Sequence, residues 1–355
     1  MFRSEVKRMT IKDIARECGV SVSTVSRVLN ERPDVSPTVR EKVLSAIAAG
    51  NYIPNNSARD LVRTRSDNIG LVVRGVGNPF YTGIINTIER QINAAGCTMV
   101  MQQIGTREDE IKCGAMMERD KKLRGLIFLG GRSDYSRDQL ASLNVPFVCC
   151  TYDNSFGTLP EDCYSSVSID DRRAAYDAVT RLCRLGHQRI AALLSDRCDR
   201  SISELRYLGY LEALQDQGIA ANEALVACAH SFEMDAAYNA TLDLIESGAD
   251  FTALFVISDA MAVAAMKALS QRGRRVPEDC SVIAIDGVEF SEYVCPTLST
   301  LSQPVEAMGS ESVRILLDVI EGPSKPQHLR LSTVFREGGS VRDQYLIFPD
   351  SVREK

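Results

Sequence analysis

The sequence predicts an α/β protein in which a small N-terminal head of three helices, of the helix-turn-helix kind, precedes two doubly wound α/β lobes. Residues 10–50 contain three short amphipathic segments separated by turn residues. From residue 67 onward, apolar runs of strand length alternate with longer amphipathic segments. This alternation starts again once near residue 166, as expected for two parallel sheets covered by helices. A chain of 355 residues also exceeds what one hydrophobic core usually holds.

The first helix is predicted from its two ends and its apolar stripe. Thr10 and Asp13 have the spacing of a capping box, with Thr10 as the cap and Asp13 reaching back to it. Gly19 is typical of the position just past a helix C-terminus. The apolar residues between these ends recur at helical spacing and are Ile11, Ile14, Ala15 and Cys18.

Two further helices follow at short intervals. Ser21 is placed to cap a second helix over residues 22–30. Ser36 and Pro37 are typical of the start of a third helix, and Gly50 is typical of its end. A helix, a glycine-containing turn and a second helix form the helix-turn-helix plan. The inward residues of the two helices are Val25, Val28 and Leu29, and then Val39, Val43 and Ile47.

The second helix has an outward face suited to reading DNA. Val22 and Ser23 lie at its start and point away from the apolar stripe. In a docked helix-turn-helix, residues at these positions reach base edges in the major groove. A valine methyl can contact a thymine methyl, and a serine hydroxyl can donate or accept. The alternative is a small helical cap on a larger protein. The candidate DNA-contacting residues of the head are Thr10, Ser21, Val22, Ser23, Thr24, Ser26, Arg27 and Asn30.

Charge is distributed unevenly along the chain. The whole sequence has a net charge of −6, but residues 1–66 have a net charge of +5 and the remainder has −11. A basic end on an acidic body indicates that only this end meets a polyanion. A solvated basic surface is the alternative that charge alone leaves open.

Several classes of protein are disfavoured by the sequence. The eleven cysteines are scattered without a C-x-x-C pair, which argues against both a disulfide framework and a zinc site and favours reduced, mostly buried thiols. We find no P-loop, no G-x-S-x-G and no dinucleotide fingerprint. We also find no signal peptide and no membrane span. We therefore expect a cytoplasmic protein without catalytic residues, metal or cofactor.

In the body, two blocks of strands and helices suggest a hinged clamp around a small molecule, which would bind at the carboxyl ends of the strands. The predicted strands are 69–73, 98–101, 125–129 and 145–149 in the first block, and 166–169, 189–194, 252–257 and 281–285 in the second. The predicted helices are 79–95, 107–122, 134–143, 170–185, 202–217, 234–246 and 259–272.

The head resembles the DNA-binding head of the LacI/GalR family of transcriptional regulators. The motif V-S-x-x-T-V-S-R-V-L-N is intact from Val20 to Asn30, and Tyr52-Ile53-Pro54-Asn55 matches the family's Y-x-P-N. Further landmarks extend the resemblance over about residues 9–340. It implies a body of periplasmic-binding-protein type, with operator DNA, a small-molecule effector and a second copy of the chain as partners.

The resemblance implies a hinge helix after the head. In the family this helix folds only when two subunits sit on an operator, as a helix too short to be stable alone would do. Leu61 of each subunit is then expected to wedge into the central base step from the minor groove, beside Ala58. Tyr52 and Asn55 complete the DNA-contacting residues that the resemblance implies.

The resemblance also implies residues of the effector pocket. The sequence N-P-F-Y after the first strand matches a family pattern, so Asn78, Phe80 and Tyr81 are expected to line the pocket. Phe80 and Tyr81 could instead be core residues at a helix start. Arg206, in the pattern R-x-x-G-Y, is expected to hold effector hydroxyls or a carboxylate, and Arg200 takes a second pocket position. A solvated helix arginine is the alternative for Arg206.

Two positions depart from the family pattern. Ser258 stands where the family usually has an asparagine that contacts the effector. Asp286 keeps the first carboxylate of the usual F-D-D pattern, which is I-D-G here, and is expected to accept hydrogen bonds from sugar hydroxyls. A strand-end cap is the alternative for Asp286. We expect Asp170 to cap a helix.

The resulting domain prediction has four parts. Residues 9–54 form the helix-turn-helix domain, 55–66 the hinge helix and linker, 67–340 the effector-binding and dimerisation domain, and 341–355 a tail. Within the third part, the N-lobe is expected to comprise 67–164 and 295–324, and the C-lobe 165–294 and 325–340. The chain would cross between lobes near Tyr164, Val294 and Ser324.

The function predicted from these residues is a homodimeric, sequence-specific repressor of a carbohydrate-utilisation operon, controlled by a sugar or sugar derivative. Its operator would be a pseudo-palindrome of double-stranded DNA. The alternatives are a sugar-binding sensor protein and a sugar-modifying enzyme of α/β fold.

Overall fold

The computed structural model of the chain describes residues 9–29, 32–50, 67–75, 77–322 and 324–345. The chain divides into two compact units between residues 65 and 66. We call the first unit the head and the second the body, and we describe each by itself. Five candidate DNA-contacting residues lie outside the described part of the chain, namely Asn30, Tyr52, Asn55, Ala58 and Leu61.

The head consists of three helices, α1 (Ile11–Cys18), α2 (Val22–Leu29) and α3 (Pro37–Ala49). The predicted capping box at the start of α1 is confirmed, because Asp13 N–H donates to Thr10 Oγ1 at 3.3 Å and Thr10 N–H donates to Asp13 Oδ2 at 3.0 Å. The first helix ends at Gly19, whose φ of 65° suits glycine.

The head has a small apolar core to which all three helices contribute. Ile14, Val25 and Val43 have no solvent exposure. Around them pack partly buried residues such as Val39 and Ile47. The predicted apolar stripes therefore face one another, and the outward faces of the helices remain open.

Six parallel strands form the first sheet of the body. All or nearly all residues of its central strands are buried, as expected for a parallel sheet covered on both faces. In spatial order across the sheet the strands are β11 (His328–Leu331), β5 (Ser165–Ile169), β4 (Phe147–Cys150), β3 (Gly125–Leu129), β1 (Asn68–Arg74) and β2 (Thr98–Ile104).

Six strands also form the second sheet, in which only the strand at one edge is antiparallel. In spatial order they are β12 (Val334–Arg336), β10 (Ser299–Ser302), β9 (Ser281–Asp286), β8 (Ala253–Val256), β6 (Ile190–Leu194) and β7 (Val226–Cys228). We call the first sheet with its helices lobe 1, and the second sheet with its helices lobe 2.

Helices connect the strands of both lobes. One predicted helix, 134–143, is only four residues long, since the backbone N–H of Tyr135 is held by Asn154 Oδ1 at 2.7 Å outside any helix. The helices of the body are α4 (Phe80–Ala94), α5 (Glu110–Lys121), α6 (Arg137–Leu140), α7 (Asp171–Arg184), α8 (Ile202–Asp216), α9 (Met234–Glu246), α10 (Asp259–Gln271) and α11 (Val305–Glu321).

The chain crosses between the lobes at other places than the sequence predicted. Strand β5 was assigned to the C-lobe, but it pairs with β4 in the first sheet. Strand β10 was assigned to the N-lobe, but it pairs with β9 in the second sheet. Strand β11 was assigned to the C-lobe and pairs with β5. The crossings therefore follow β5, β10 and β11, because each of these strands completes the sheet it leaves.

Candidate functional site

In the head, the start of α2 presents a small uncovered surface. Val22 is 41% exposed, although it is apolar. Ser21 caps the helix, since its Oγ accepts from Thr24 N–H at 3.1 Å, and it also lies 2.7 Å from Ser23 Oγ and 2.8 Å from Thr24 Oγ1. An exposed valine flanked by hydroxyl groups at a helix start offers methyl and hydrogen-bonding contacts of the kind that base edges accept.

The other described candidates of the head surround this surface. Arg27 is exposed and pairs with the exposed carboxylate of Asp34 at 3.4 Å, a contact that contributes little to stability. Ser26 is half-buried. The hydroxyl of Thr10 donates to Asp13 at 2.6 Å. Thr10 is therefore engaged in the cap of α1, while Arg27 can exchange its partner for an anion.

The body contains a cavity of about 600 Å³ at the carboxyl ends of the strands of both sheets. Its volume is typical of a site for a small molecule. Lobe 1 contributes residues that follow β1, β2, β3 and β4, and lobe 2 contributes residues that follow β6 and β7. At its buried end the cavity is lined by residues that offer polar side-chain or backbone groups, namely Asn78, Tyr81, Gly130, Gly131, Thr151, Tyr152 and Ser195.

Backbone strain is concentrated beside this cavity. Thr151, Arg200, His230 and Asp286 have φ values of 76°, 55°, 58° and 144°, in a region that disfavours residues with a Cβ. The first three follow β4, β6 and β7 respectively, and Asp286 is the last residue of β9. Such strain persists where the surroundings hold it and is typical of ligand sites.

Asn78 and Tyr81 line the cavity, as the sequence predicted. Asn78 is 6% exposed, and its Oδ1 accepts from Phe80 N–H at 3.1 Å, which leaves its amide nitrogen as a donor. Burial and the nearby Asp286 carboxyl raise the pKa of the Tyr81 hydroxyl to about 12. Tyr81 therefore stays a neutral donor and acceptor at the cavity wall.

Arg206 does not line the cavity, contrary to the expected direct role. It is 2% exposed and pairs with Asp171, with an Nη2–Oδ1 distance of 2.7 Å. Its Nη1 donates to the carbonyl of Ile257 and lies 3.6 Å from Asp286 Oδ1. A buried guanidinium is stable only when paired, and these groups use the donors that an effector would need.

Asp286 is also buried behind the cavity wall, at 1% exposure. Its Oδ1 accepts from Gln303 Nε2 at 2.8 Å, whereas its Oδ2 has no partner among the described residues. Burial raises the pKa of Asp286 to about 8, opposed by Arg206 and reinforced by Asp259. Burial likewise raises the pKa of Asp171 to about 6 against the charge of Arg206.

Three further predicted pocket residues are not among those that line the cavity. Phe80 is 4% exposed and packs in the core. Ser258 is fully buried and caps α10, since its Oγ accepts from Met261 N–H at 3.3 Å. Arg200 joins the lobes at the rim, because its carbonyl accepts from Ser133 N–H at 2.8 Å and its guanidinium lies 5.1 Å from the ring centre of Phe156.

The sequence prediction missed the residues at the exposed end of the cavity. On lobe 1 they lie at the end of β2 or just after it. On lobe 2 they follow β7, a strand of three residues that the apolar pattern does not reveal. The main members of this set are Gln103, Arg107, Glu108, His230, Phe232 and Glu233.

Asp170 caps α7 as predicted, since its Oδ1 accepts from Arg173 N–H at 2.9 Å. Within the described ranges, no group of three or more His, Cys, Asp or Glu side chains could hold a metal ion. No helix in that part of the chain is both long and apolar enough to span a bilayer.

Comparison with known proteins agrees with this arrangement. Residues 10–55 match the profile of bacterial regulatory proteins of the lacI family, and residues 165–341 match that of the periplasmic binding protein-like domain. The HTH-type transcriptional regulator MalR of Clostridium butyricum is 37% identical over 334 residues, which cover 94% of this chain and 99% of MalR. The chain belongs to the LacI family.

Solved structures of this family have the same fold. The complex of the transcriptional regulator CelR with cellobiose is 32% identical, has a TM-score of 0.69, and is matched over 94% of this chain and all of that one. The Lac repressor dimer bound to operator and the anti-inducer ONPF is 27% identical with a TM-score of 0.76, matched over 95% of this chain and all of that one. These relatives fit the regulator prediction and not the sensor or enzyme alternatives.

Proposed function

We propose that the chain is a homodimeric, sequence-specific DNA-binding repressor of a carbohydrate-utilisation operon, and that a sugar or sugar derivative in the cavity of the body controls it. The observation that carries this proposal is that one chain contains both features. The head exposes the start of α2, and the body has a cavity between two sheets that is lined by polar groups and flanked by strained backbone. Related regulators whose structures contain cellobiose or operator DNA support the same assignment.

On the DNA side, Val22 and Ser23 read base edges in the major groove, and Arg27 binds a backbone phosphate. Two heads in a dimer meet half-sites about one helical turn apart, so the operator is a pseudo-palindrome. The resemblance to the family supports a minor-groove role for Leu61 and Ala58, with Tyr52 and Asn55 beside them.

On the effector side, Asn78 and Tyr81 contact the sugar directly. Arg206, Asp171 and Asp286 act indirectly, from behind the cavity wall. Arg206 joins Asp171 at the start of α7, the carbonyl of Ile257 after β8 and Asp286 at the end of β9, and this cluster lies near Tyr81. Phe80 and Ser258 support the same wall from the core, and Arg200 holds the rim.

The chain uses this chemistry for binding and not for turnover. No cofactor, metal or catalytic residue takes part in the proposal. Because its partner is operator DNA, its place of action is the cytoplasm.

The proposal is tested with purified full-length chain and a pool of random duplex DNA. We expect selection to yield an inverted repeat that binds at least about 10³-fold tighter than random duplex at physiological salt. Addition of the cognate sugar should change that affinity. Enrichment of no sequence would contradict DNA recognition. A stable operator complex that no sugar or sugar derivative affects would contradict the effector assignment alone.

A further inference from the structure

The cavity is elongated and lies to one side of the space between the two lobes. On lobe 1 its lining comes from the ends of four adjacent strands, β4, β3, β1 and β2, of which β2 is the edge strand. Neighbouring strands lie about 4.8 Å apart, so this row is about 14 Å long. On lobe 2 the lining comes only from β6 and the edge strand β7. The cavity is therefore longer than a single pyranose ring and runs toward the edge of both sheets.

The two ends of the cavity differ in exposure. Asn78, Thr151 and Tyr152 at one end are buried, at 6%, 5% and 2% exposure. Most residues from the edge strands at the other end, including Arg107 and Glu233, are exposed. The lobes still approach each other at this exposed end, because a Cβ on Gly77 of lobe 1 would lie 3.4 Å from Glu233 Cγ of lobe 2. A ligand can thus be enclosed at one end and continue between the lobes toward solvent.

The exposed end has the groups that a sugar ring uses. Phe232 is half-buried and lines the cavity. Within the described ranges, neither the carboxylate of Glu233 nor the guanidinium of Arg107 has a hydrogen-bond or ion-pair partner. His230 Nδ1 lies 2.9 Å from Asp196 Oδ1, which leaves Nε2 for another contact. An aromatic ring suits the C–H face of a pyranose, and unpaired polar side chains suit its hydroxyls.

The charge of the lining argues against an anionic ligand. Four carboxylates, those of Glu108, Asp196, Asp199 and Glu233, face two guanidinium groups, those of Arg74 and Arg107. Arg74 is also close to the buried carboxylate of Glu110, with an Nε–Oε2 distance of 3.6 Å. The excess of negative charge repels a phosphate or carboxylate group, whereas neutral hydroxyls can donate to these oxygens.

We infer that the exposed end is a second saccharide subsite, so that the cavity takes an uncharged oligosaccharide of at least two rings in preference to a monosaccharide or a sugar phosphate. One ring, either the reducing or the non-reducing one, lies at the buried end and contacts Asn78 and Tyr81. The next ring lies on Phe232, with Glu233, Arg107 and His230 around it. This inference rests on the proposed function, since it names the effector class of the same cavity.

The test is calorimetric titration of the full-length chain with matched sets of sugars. Each set contains a monosaccharide, its 6-phosphate where one exists, and its α- and β-linked disaccharides, built on glucose, galactose, mannose and xylose. We expect one disaccharide, with cellobiose and maltose among the probes, to bind at least about tenfold tighter than its monosaccharide. We expect the phosphate to bind no tighter than the monosaccharide.

Variants then locate the second ring. Phe232→Ala and Glu233→Gln should each weaken disaccharide binding at least about tenfold more than monosaccharide binding. Asp235→Asn is the matched control, because Asp235 is an exposed carboxylate in the first turn of α9 that does not line the cavity. It removes the same charge two residues away and should leave both affinities unchanged.

Three results would overturn the inference while leaving the proposed function intact. These are equal affinity for a monosaccharide and its disaccharides, tighter binding of a sugar phosphate, and an equal loss in Asp235→Asn and Glu233→Gln. If operator binding is normal but no sugar in any set binds, the sugar assignment of the proposed function fails and this inference fails with it.

Discussion

At the scale of single residues, the buried ion pairs of lobe 2 explain why some predicted pocket residues lie behind the pocket. Arg206 was expected to meet the effector because its pattern matches the family. The sequence does not reveal that Asp171 and Asp286 lie within 2.7 and 3.6 Å of it. These partners come from segments 35 and 80 positions away along the chain, and only the fold brings them together.

Removal of the Arg206 side chain should lower the free energy of unfolding of the body. Arg206→Met leaves two carboxyl groups buried without their cation, a situation that costs about 3–5 kcal/mol when one partner of a buried pair is lost. We expect the thermal midpoint of the body to fall clearly, as followed by calorimetry. Arg200→Met is the control, because the Arg200 side chain is 54% exposed and its ion pair with Glu204, at 3.4 Å, is open to solvent screening. Equal midpoints for the two variants would contradict the structural role of Arg206.

Asp286 makes stability depend on pH. Its pKa is raised in the folded protein to about 8, mainly by burial, from about 3.9 in the unfolded chain. The folded state then binds more protons between these values, so this contribution to the free energy of unfolding is full below about pH 4 and decreases as pH rises toward 8. Asp286→Asn should flatten this fall in urea titrations at several pH values. A slope equal to that of the unsubstituted chain would show that Asp286 does not titrate in this window.

Arg27 can be tested on the operator once it is selected. Arg27→Ala should weaken binding to all duplexes and reduce the slope of log K against log salt by about one, because one phosphate contact is lost. Gel shifts over a range of salt concentrations measure this. Arg16→Ala is a suitable control, since Arg16 is also exposed but belongs to α1. An unchanged slope for Arg27→Ala would remove the phosphate assignment.

At the scale of elements, the close packing of α7 against α8 depends on one glycine. A Cβ on Gly209 would lie 2.1 Å from the carbonyl oxygen of Arg172 and 3.0 Å from Ala175 Cβ. Glycine is required at this position because a side chain would collide with α7. The backbone angles do not require glycine, since Gly209 lies in the interior of the helix α8. The two helices can approach this closely only without a side chain at this position.

Gly209→Ala should therefore push α7 and α8 apart. Overpacking of this kind typically costs about 1–3 kcal/mol, which thermal unfolding of the body should detect. Gly322→Ala is the matched control, because nothing lies within 4 Å of a Cβ at Gly322 and its φ of −158° suits any residue. If both variants unfold at the same temperature, the helices are not held at this contact.

Long or capped elements could be predicted from the sequence, and short edge strands could not. The capping box of Thr10 and the apolar stripe of α1 are local features, and both are found. Strands β7, β11 and β12 have three or four residues and are partly exposed, so they lack an apolar run. Their pairing partners decide their place, which is why β11 was assigned to the wrong lobe.

The same limit applies to the cavity. Asn78 and Tyr81 follow a strongly apolar strand, so their place at its carboxyl end could be predicted. Phe232 and Glu233 follow β7, and their position depends on that strand lying at the edge beside β6. A residue pattern could locate the buried end of the cavity but not its exposed end.

At the scale of the whole molecule, the proposed function requires the two binding events to be linked. If the sugar changes operator affinity by some factor, the operator must change sugar affinity by the same factor. We expect titrations of the sugar with and without saturating operator to differ by the factor found in gel shifts with and without sugar. Unequal factors would indicate a further state or partner in the cycle.

The three crossings between the lobes have a practical consequence for work on parts of this protein. The first sheet receives β1 to β5 from one stretch of the gene and β11 from another, with most of lobe 2 encoded in between. No single continuous fragment can encode either lobe with its full sheet. An expression vector for lobe 1 alone would have to join residues 67–169 to residues 303–331 through a new linker, and a simple truncation would leave an edge of the sheet bare.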